Sequence, residues 1–177
     1  MTASLRPARP SDLDALCRLE MDCFDGDRFS RRQLAHLLKG ANAVTWMAVD
    51  ADDRPLGYGT LLFRRNSRVA RLYSFCVDPQ ARGEGLGRRL LEALEREARQ
   101  RDLALITLEV RADNRVAMGL YRRMGYTLRR WLDDYYVDGC AAWQMDKSLL
   151  EAPATLAAAG GTGAGCNARP ASIESVA

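Results

Sequence analysis

The sequence predicts a single mixed α/β (α+β) domain, and three observations predict it. Strand-like runs at 44–50, 56–65 and 69–77 follow one another through short turns, the pattern of an antiparallel meander. A glycine-rich loop at 83–87 then enters an amphipathic stretch in which Leu86, Leu90, Leu91, Leu94 and Ala98 share one helical face. Another strand-like run at 104–110 follows, so this helix is a crossover and the strands at its two ends are expected to lie parallel. With 177 residues the chain is long enough for one ordinary core and short for two. The domain is assigned to residues 1–150.

A short strand is predicted at 5–7. Ser11-Asp12-Leu13-Asp14 then opens a helix with an N-cap and an acidic first turn, and Leu13, Leu16, Cys17 and Leu19 belong to its inward face. After a loop at 22–29, Ser30-Arg31-Arg32-Gln33 reads as a capping box for a second helix that runs through Leu38 and ends at Gly40. Asp52 and Asp53 turn the chain within the meander. The crossover helix covers about 86–101. Asn114 caps a fourth helix that Gly125 ends, and strands at about 126–136 and 140–147 close the fold as a hairpin. From Ala152 onward Ala, Gly, Thr and Ser take over, so residues 151–177 are predicted to be a disordered tail.

Composition excludes several classes of function. Net charge is +3 and the arginines are dispersed, with no dense basic stripe, so no nucleic-acid partner is expected. No apolar run approaches the roughly 20 residues that cross a bilayer. The amino terminus lacks a signal-peptide pattern, so the chain is expected to be cytoplasmic, with no membrane partner, as a monomer or homodimer. The five cysteines form no Cys-x-x-Cys pair and His36 is the sole histidine, so no metal is expected.

The loop Arg82-Gly83-Glu84-Gly85-Leu86-Gly87-Arg88 sits where a strand becomes a helix. The first N–H groups of that helix have no internal acceptor and carry the positive end of its dipole, so a pyrophosphate would fit there. Arg82 and Arg88 add positive charge. A glycine-rich helix start without a ligand is the plainer alternative. No Walker loop is present, and Gly83-x-Gly85-x-Gly87 matches a dinucleotide fingerprint imperfectly.

Arg82-x-x-Gly85-x-Gly87 resembles the Arg/Gln-x-x-Gly-x-Gly/Ala signature of the GCN5-related N-acetyltransferase (GNAT) superfamily. Leu108-Glu109-Val110-Arg111-Ala112-Asp113-Asn114 and Leu120-Tyr121-Arg122-Arg123-Met124-Gly125-Tyr126 resemble two further segments, found in the ribosomal-protein N-terminal alanine acetyltransferases of that superfamily. The resemblance spans roughly residues 5 to 148. It implies a mostly antiparallel sheet of about six or seven strands with about four helices. It also implies that the parallel pair splays to admit the pantetheine arm of acetyl-CoA, the acetyl donor, whose pyrophosphate rests on residues 82–88.

Acetyl transfer needs a base for the amine, a stabiliser for the developing oxyanion and a proton for the departing thiolate. Glu109 interrupts the apolar run Ile106, Leu108, Val110 and is either a general base or a side chain turned to solvent. Tyr121 shares a helical face with Ala117 and Met124 and is either a core tyrosine or a general acid. The resemblance implies the base, through a water relay, for Glu109 and the acid for Tyr121. It also gives Asn114 a contact to the pantetheine amide. A backbone N–H near Phe75, Cys76 or Val77 is the candidate oxyanion donor. Cys76 has no histidine near it in sequence and reads as a packing residue, which favours direct transfer.

Near neutral pH an α-amine is roughly ten per cent unprotonated and a lysine under about a thousandth, which favours a protein or peptide N-terminus as acceptor. Glu20 and the acidic loop of Asp22, Asp25 and Asp27 either draw in a cation or are merely solvated. Tyr135 and Tyr136 resemble an Arg-x-x-Tyr-Tyr element beside the peptide site of the alanine acetyltransferases, with the arginines displaced upstream and a short turn following. They read equally as cross-strand packing aromatics. The alternative acceptor is a small amine such as a polyamine, amino sugar or antibiotic, and the alternative class is a non-catalytic acyl-CoA-binding regulator.

Overall fold

Seven strands form one sheet in the computed structural model, which describes residues 3–40 and 42–150. The predicted tail at 151–177 lies outside the described residues. In chain order the elements are β1 (Ser4–Pro7), α1 (Leu13–Cys23), α2 (Arg31–Lys39), β2 (Ala43–Val49), β3 (Pro55–Phe63), β4 (Val69–Val77), α3 (Leu86–Gln100), β5 (Leu105–Arg111), α4 (Arg115–Arg123), β6 (Thr127–Leu132) and β7 (Ala142–Ser148). The sheet order is β1-β2-β3-β4-β5-β7-β6, and every neighbouring pair is antiparallel except β4–β5. This is the mixed, mostly antiparallel sheet with four helices that the sequence predicted.

Local signals set most helix ends. Ser30 and Gln33 form the expected reciprocal capping box at α2. Asn114 caps α4 by accepting from the Ala117 N–H at 3.0 Å. Gly125, at φ +90°, closes α4 with its own N–H on the Arg122 carbonyl, while the Tyr126 N–H reaches the Tyr121 carbonyl.

Two expectations are corrected. A 3-10 turn, Pro10–Asp12, precedes α1, and the Asp12 carboxylate caps no α1 N–H. It accepts instead from the Arg9 N–H at 2.6 Å and from the Arg6 guanidinium at 2.8 and 2.9 Å, because a strong cation on β1 competes for it. The closing hairpin is also shorter than expected. β6 stops at Leu132, Asp134 adopts a left-handed φ of +46°, and the Tyr136 N–H bonds the Cys140 carbonyl across a tight turn. Turn-forming aspartates at 133 and 134 thus override the aromatic run, and Tyr135 and Tyr136 lie in an irregular connection outside the strand.

The sheet buries both faces. Leu16, Leu19, Leu34, Met47, Tyr58 and Cys76 pack with α1 and α2 on one side. Leu61, Leu72, Phe75, Ile106, Leu108 and Val110 pack with α3 and α4 on the other. Along β4, Leu72 and Phe75 both face α3 and α4 although three residues separate them. An alternating strand permits this only with an extra residue between them. The register supplies it: Leu61 pairs with Leu72 and Thr60 with Ser74, so Tyr73 is the extra residue of a β-bulge.

The bulge has a long-range consequence. Pairing between β4 and β5 covers Val69↔Leu105, Ala70↔Ile106 and Arg71↔Thr107 and ends just before it. Beyond that point β4 follows β3 to Val77, while β5 follows β7 to Arg111. The parallel strands part, and a slot opens between residues 72–77 and 108–111.

Candidate active site

Backbone donors line the β4 wall of the slot. The Asp78 N–H bonds the Leu56 carbonyl at 2.8 Å, toward β3. Strand alternation turns Cys76 the same way and presents the N–H groups of Phe75 and Val77 to the slot. The Val77 carbonyl fits this assignment, since it accepts from Arg82 Nε at 3.1 Å. Phe75, Cys76 and Val77 are fully buried.

At one end of the slot α3 begins without a side-chain cap. Its N-cap is Gly85, at φ +73° and ψ +11°, and its first backbone bond runs from the Arg89 N–H to the Gly85 carbonyl. The N–H groups of Leu86, Gly87 and Arg88 therefore point out of the helix with no intrahelical acceptor. A Cβ added to Gly83 or Gly85 would meet no atom within 4 Å, so both glycines are required by their positive φ and not by crowding. Leu86 is buried with Ala48 and Val77 and fixes the helix start against the sheet. Arg82 is half-buried; Arg88 is exposed and pairs with Glu92, and Glu84 is exposed beside it. The uncapped amides and the open glycine surface fit a pyrophosphate.

Glu109 and Tyr121 lie on opposite sides of the opening. Ile106, Leu108 and Val110 belong to the α3/α4 core, so alternation turns Glu109 toward α1 and α2. It does not face open solvent: it is 6% exposed, and its Oε2 accepts from Arg71 Nε at 3.0 Å. Tyr121 comes from the other side, fully buried, its ring 6.3 Å from that of Phe75 and 5.6 Å from that of Tyr126. Its hydroxyl has no hydrogen-bond partner among the described residues, and burial pushes its pKa well above the usual phenol range. Such a group costs about 1–3 kcal/mol unless something else satisfies it.

Where the strands end, a cleft of about 700 Å³ opens between the loops. Arg82 and Asn114 line it, together with Arg111 and four aspartates, Asp22, Asp25, Asp113 and Asp138. Arg111 clasps two of its walls, donating to Asp113 at 3.1 and 3.2 Å and to Asp138 at 2.7 and 3.3 Å. It holds both carboxyls below their ordinary values. Its guanidinium carbon also stands 4.8 Å from the centre of the Tyr136 ring. Tyr136 is buried, and burial first, then Tyr135, pushes its hydroxyl up, with Arg111 and Glu109 near enough to act on it in opposite senses. Tyr135 is half-buried and accepts from Arg71 Nη2 at 3.0 Å.

The side chains of two expected residues are buried in the core. Glu20 is 1% exposed, not on the acidic surface: it accepts from the Phe29 N–H at 2.6 Å and from the Tyr58 hydroxyl. Those bonds staple the α1–α2 loop to the sheet, so Glu20 reaches the cleft only through the loop it holds. Cys76 is buried beside Cys23, and burial, then Cys23, pushes its thiol well up, away from the thiolate that covalent transfer would need. Arg71 and Arg111 were missed as site residues. Arg111 stood inside a quoted motif beside its partner Asp113, but no local pattern announces Asp138 or the partners of Arg71, which lie 27 or more positions away.

A bulged strand opening a slot beside an uncapped glycine helix start defines the class of fold that holds an acyl-CoA across a split sheet. The chain belongs to the acetyltransferase (GNAT) family, whose model matches residues 13–126. The [ribosomal protein bS18]-alanine N-acetyltransferase of Escherichia coli (strain K12) is 44% identical over 70 residues, which is 38% of this chain and 45% of that relative, less than half its length. An uncharacterized N-acetyltransferase of Methanocaldococcus jannaschii is 31% identical over 153 residues, 86% of this chain and 96% of the relative. The crystal structure of the ribosomal-protein-S18-alanine N-acetyltransferase from Escherichia coli superposes with a TM-score of 0.77 at 26% identity, covering 88% of this chain and 99% of that one.

Proposed function

We propose that this chain is an N-acetyltransferase that moves the acetyl group of acetyl-CoA directly to a primary amine, the α-amine of a protein or peptide N-terminus. The observation that carries this reading is the buried, unpartnered Tyr121 hydroxyl across the slot from the buried Glu109 carboxylate.

The α3 amides at 86–88 and the glycine loop hold the pyrophosphate, and Asn114 meets the pantetheine arm. The amine enters from the α1/α2 side and gives its ammonium proton to Glu109, directly or through water; its nitrogen then forms a bond to the thioester carbon, and its second proton passes through water to restore the Tyr121 phenol after transfer. Negative charge on the carbonyl oxygen meets the N–H groups of Phe75 and Val77, worth on the order of a few kcal/mol. The carbon–sulfur bond breaks, and Tyr121 supplies a proton to the leaving thiolate. Burial keeps the Tyr121 phenol protonated, so that the proton is present when the thiolate leaves.

Three things support an N-terminal amine as acceptor. The Escherichia coli relative and solved structure are alanine N-acetyltransferases of a ribosomal protein. Beyond the Asp113 and Asp138 pairs with Arg111, Asp22 and Asp25 leave the cleft lining with more acidic than basic side chains, which favours a cation. An α-amine is also easier to deprotonate than a lysine. The test is acetyl-CoA with a peptide library randomised at its first two positions, beside a panel of small amines. Peptide-dependent CoA release with N-terminal acetylation seen by mass spectrometry is expected. Release with small amines alone would move the assignment to that acceptor class, and acetyl-CoA binding without release would make the chain a binding protein.

A further inference from the structure

Arg71 is the last β4 residue paired to β5, so its side chain leaves the sheet at the point where the slot begins. It extends on the acceptor side, half-buried, with its guanidinium carbon 5.4 Å from the centre of the Tyr73 ring. Two of its nitrogens are committed to different elements: Nε to Glu109 Oε2 on β5 and Nη2 to the Tyr135 hydroxyl on the 133–141 connection, each at 3.0 Å. Burial alone would lower the pKa of the guanidinium; Glu109 and then Tyr135 reverse that effect, and the charge is kept.

We propose that Arg71 is a positioning residue that fixes the Glu109 carboxylate at the slot and couples it, through Tyr135, to the connection bordering the acceptor cleft. The proposal rests on the reading of Glu109 as the base. Desolvation offsets most of the attraction in a buried ion pair, so a stabilising role explains this arginine poorly. Geometry explains it better. A planar fork reaches two acceptors at once from one stem, whereas a lysine ammonium offers a single point charge. With Oε2 held by Arg71, Oε1 is the oxygen turned to the amine or its relay water. Arg71 from β4 bonds Glu109, Tyr136 of the connection lies within reach of its charge, and Gln144 on β7 is its neutral cross-strand neighbour.

The experiment measures kcat and KM for both substrates across pH, with the peptide library and acetyl-CoA, for the parent and for R71M, R71K and Y135F. In R71M, turnover is expected to fall about tenfold or more and the acidic limb of the rate profile to move to higher pH, because the base loses its cation. Its KM for peptide rises while its KM for acetyl-CoA stays within about twofold, since the cofactor amides are untouched. R71K restores the limb and leaves peptide KM raised; Y135F raises peptide KM alone. An R71M enzyme with a uniform loss at every pH and parental peptide KM would overturn the role. Should R71M fail to fold by circular dichroism, R71K decides: parental peptide KM in R71K overturns the coupling. No CoA release from the parent with any peptide would instead overturn the N-terminal acetyltransferase reading, and this proposal with it.

Discussion

Tyr121 carries a hydroxyl where a hydroxyl is costly. The ring belongs to the core, but the oxygen finds no partner among the described residues. Phenylalanine would keep the packing and remove the penalty. Tyr121→Phe is therefore expected to melt no lower than the parent, with a gain of up to about 1 kcal/mol. Its turnover should fall on the order of a hundredfold, with acetyl-CoA affinity nearly intact. A melting curve beside a rate measurement checks both halves, and parental turnover would return Tyr121 to a packing role. Glu109→Gln separates base from scaffold by pH. Gln can still accept from Arg71, so the fold survives, but the amine must then shed its proton unaided. The loss should be greatest at low pH and shrink as the free amine becomes abundant. A rate independent of this substitution across pH would remove Glu109 from the chemistry. Local pattern left Glu109 as either a base or a solvent-facing charge and Tyr121 as either a core tyrosine or an acid, and only the resemblance assigned their roles. Their surroundings were not legible. Arg71 meets Glu109 across 38 positions and Tyr135 across 64.

At the scale of elements, the ends that carry chemistry are set by backbone conformation. Gly85 holds a left-handed φ in open space, so a side chain there strains the backbone without striking protein atoms. Gly85→Val is expected to lose about 1–2 kcal/mol of stability from that strain. It should also weaken acetyl-CoA binding by at least about tenfold, because its methyl groups would occupy the side from which the phosphate approaches. Calorimetry showing parental affinity in folded Gly85→Val would remove the pyrophosphate from this loop. The entry to α1 makes a separate, pH-dependent prediction. Arg6, together with the Arg9 N–H, holds the partly buried Asp12 carboxyl below its ordinary value of 3.8, against the opposing effect of burial. A carboxyl depressed in the folded state contributes stability that is present above its unfolded value and lost as pH falls through the folded one. Asp12→Asn should therefore lower the melting temperature near neutrality and match the parent once both are measured well below pH 3.8. An unchanged difference down to that range would mean the ion pair is not its source. The α2 capping box, the Asn114 cap and the Gly125 stop were legible because they act within a few residues. The early end of β6 was missed because the aromatic run and the Asp133-Asp134 turn signal overlap, and local propensity does not rank them.

At the scale of the whole molecule, a single extra residue governs whether there is a site at all. The β2–β3–β4 meander, the parallel β4–β5 neighbours and the β6–β7 hairpin were legible from turns and crossover length, but the placing of β7 between β5 and β6 was not, and the splay requires the register of β4 against both neighbours, which no sequence window contains. Tyr73 supplies the extra residue, and the β4–β5 ladder ends two positions before it. Its deletion makes a clean test, because removing one residue from a bulge restores simple alternation: Leu72 and Phe75 keep facing α3 and α4, and Arg71, Ser74 and Cys76 keep facing α1 and α2. The shortened β4 is then free to extend its pairing along β5, converting slot-facing amides such as that of Phe75 into ladder bonds. The variant should stay folded, with a far-ultraviolet spectrum like the parent's, and lose acetyl-CoA binding and turnover together. Tyr73→Ala keeps the extra residue, and with it the slot, so cofactor affinity should remain within about threefold of the parent, since no cofactor-holding amide is altered. If the deletion binds acetyl-CoA as the parent does, the opening arises elsewhere than in the bulge, and the glycine loop alone must hold the donor. If both variants lose binding equally, the ring of Tyr73, packed 4.9 Å from Phe29, and not the register, is what keeps the two strands apart.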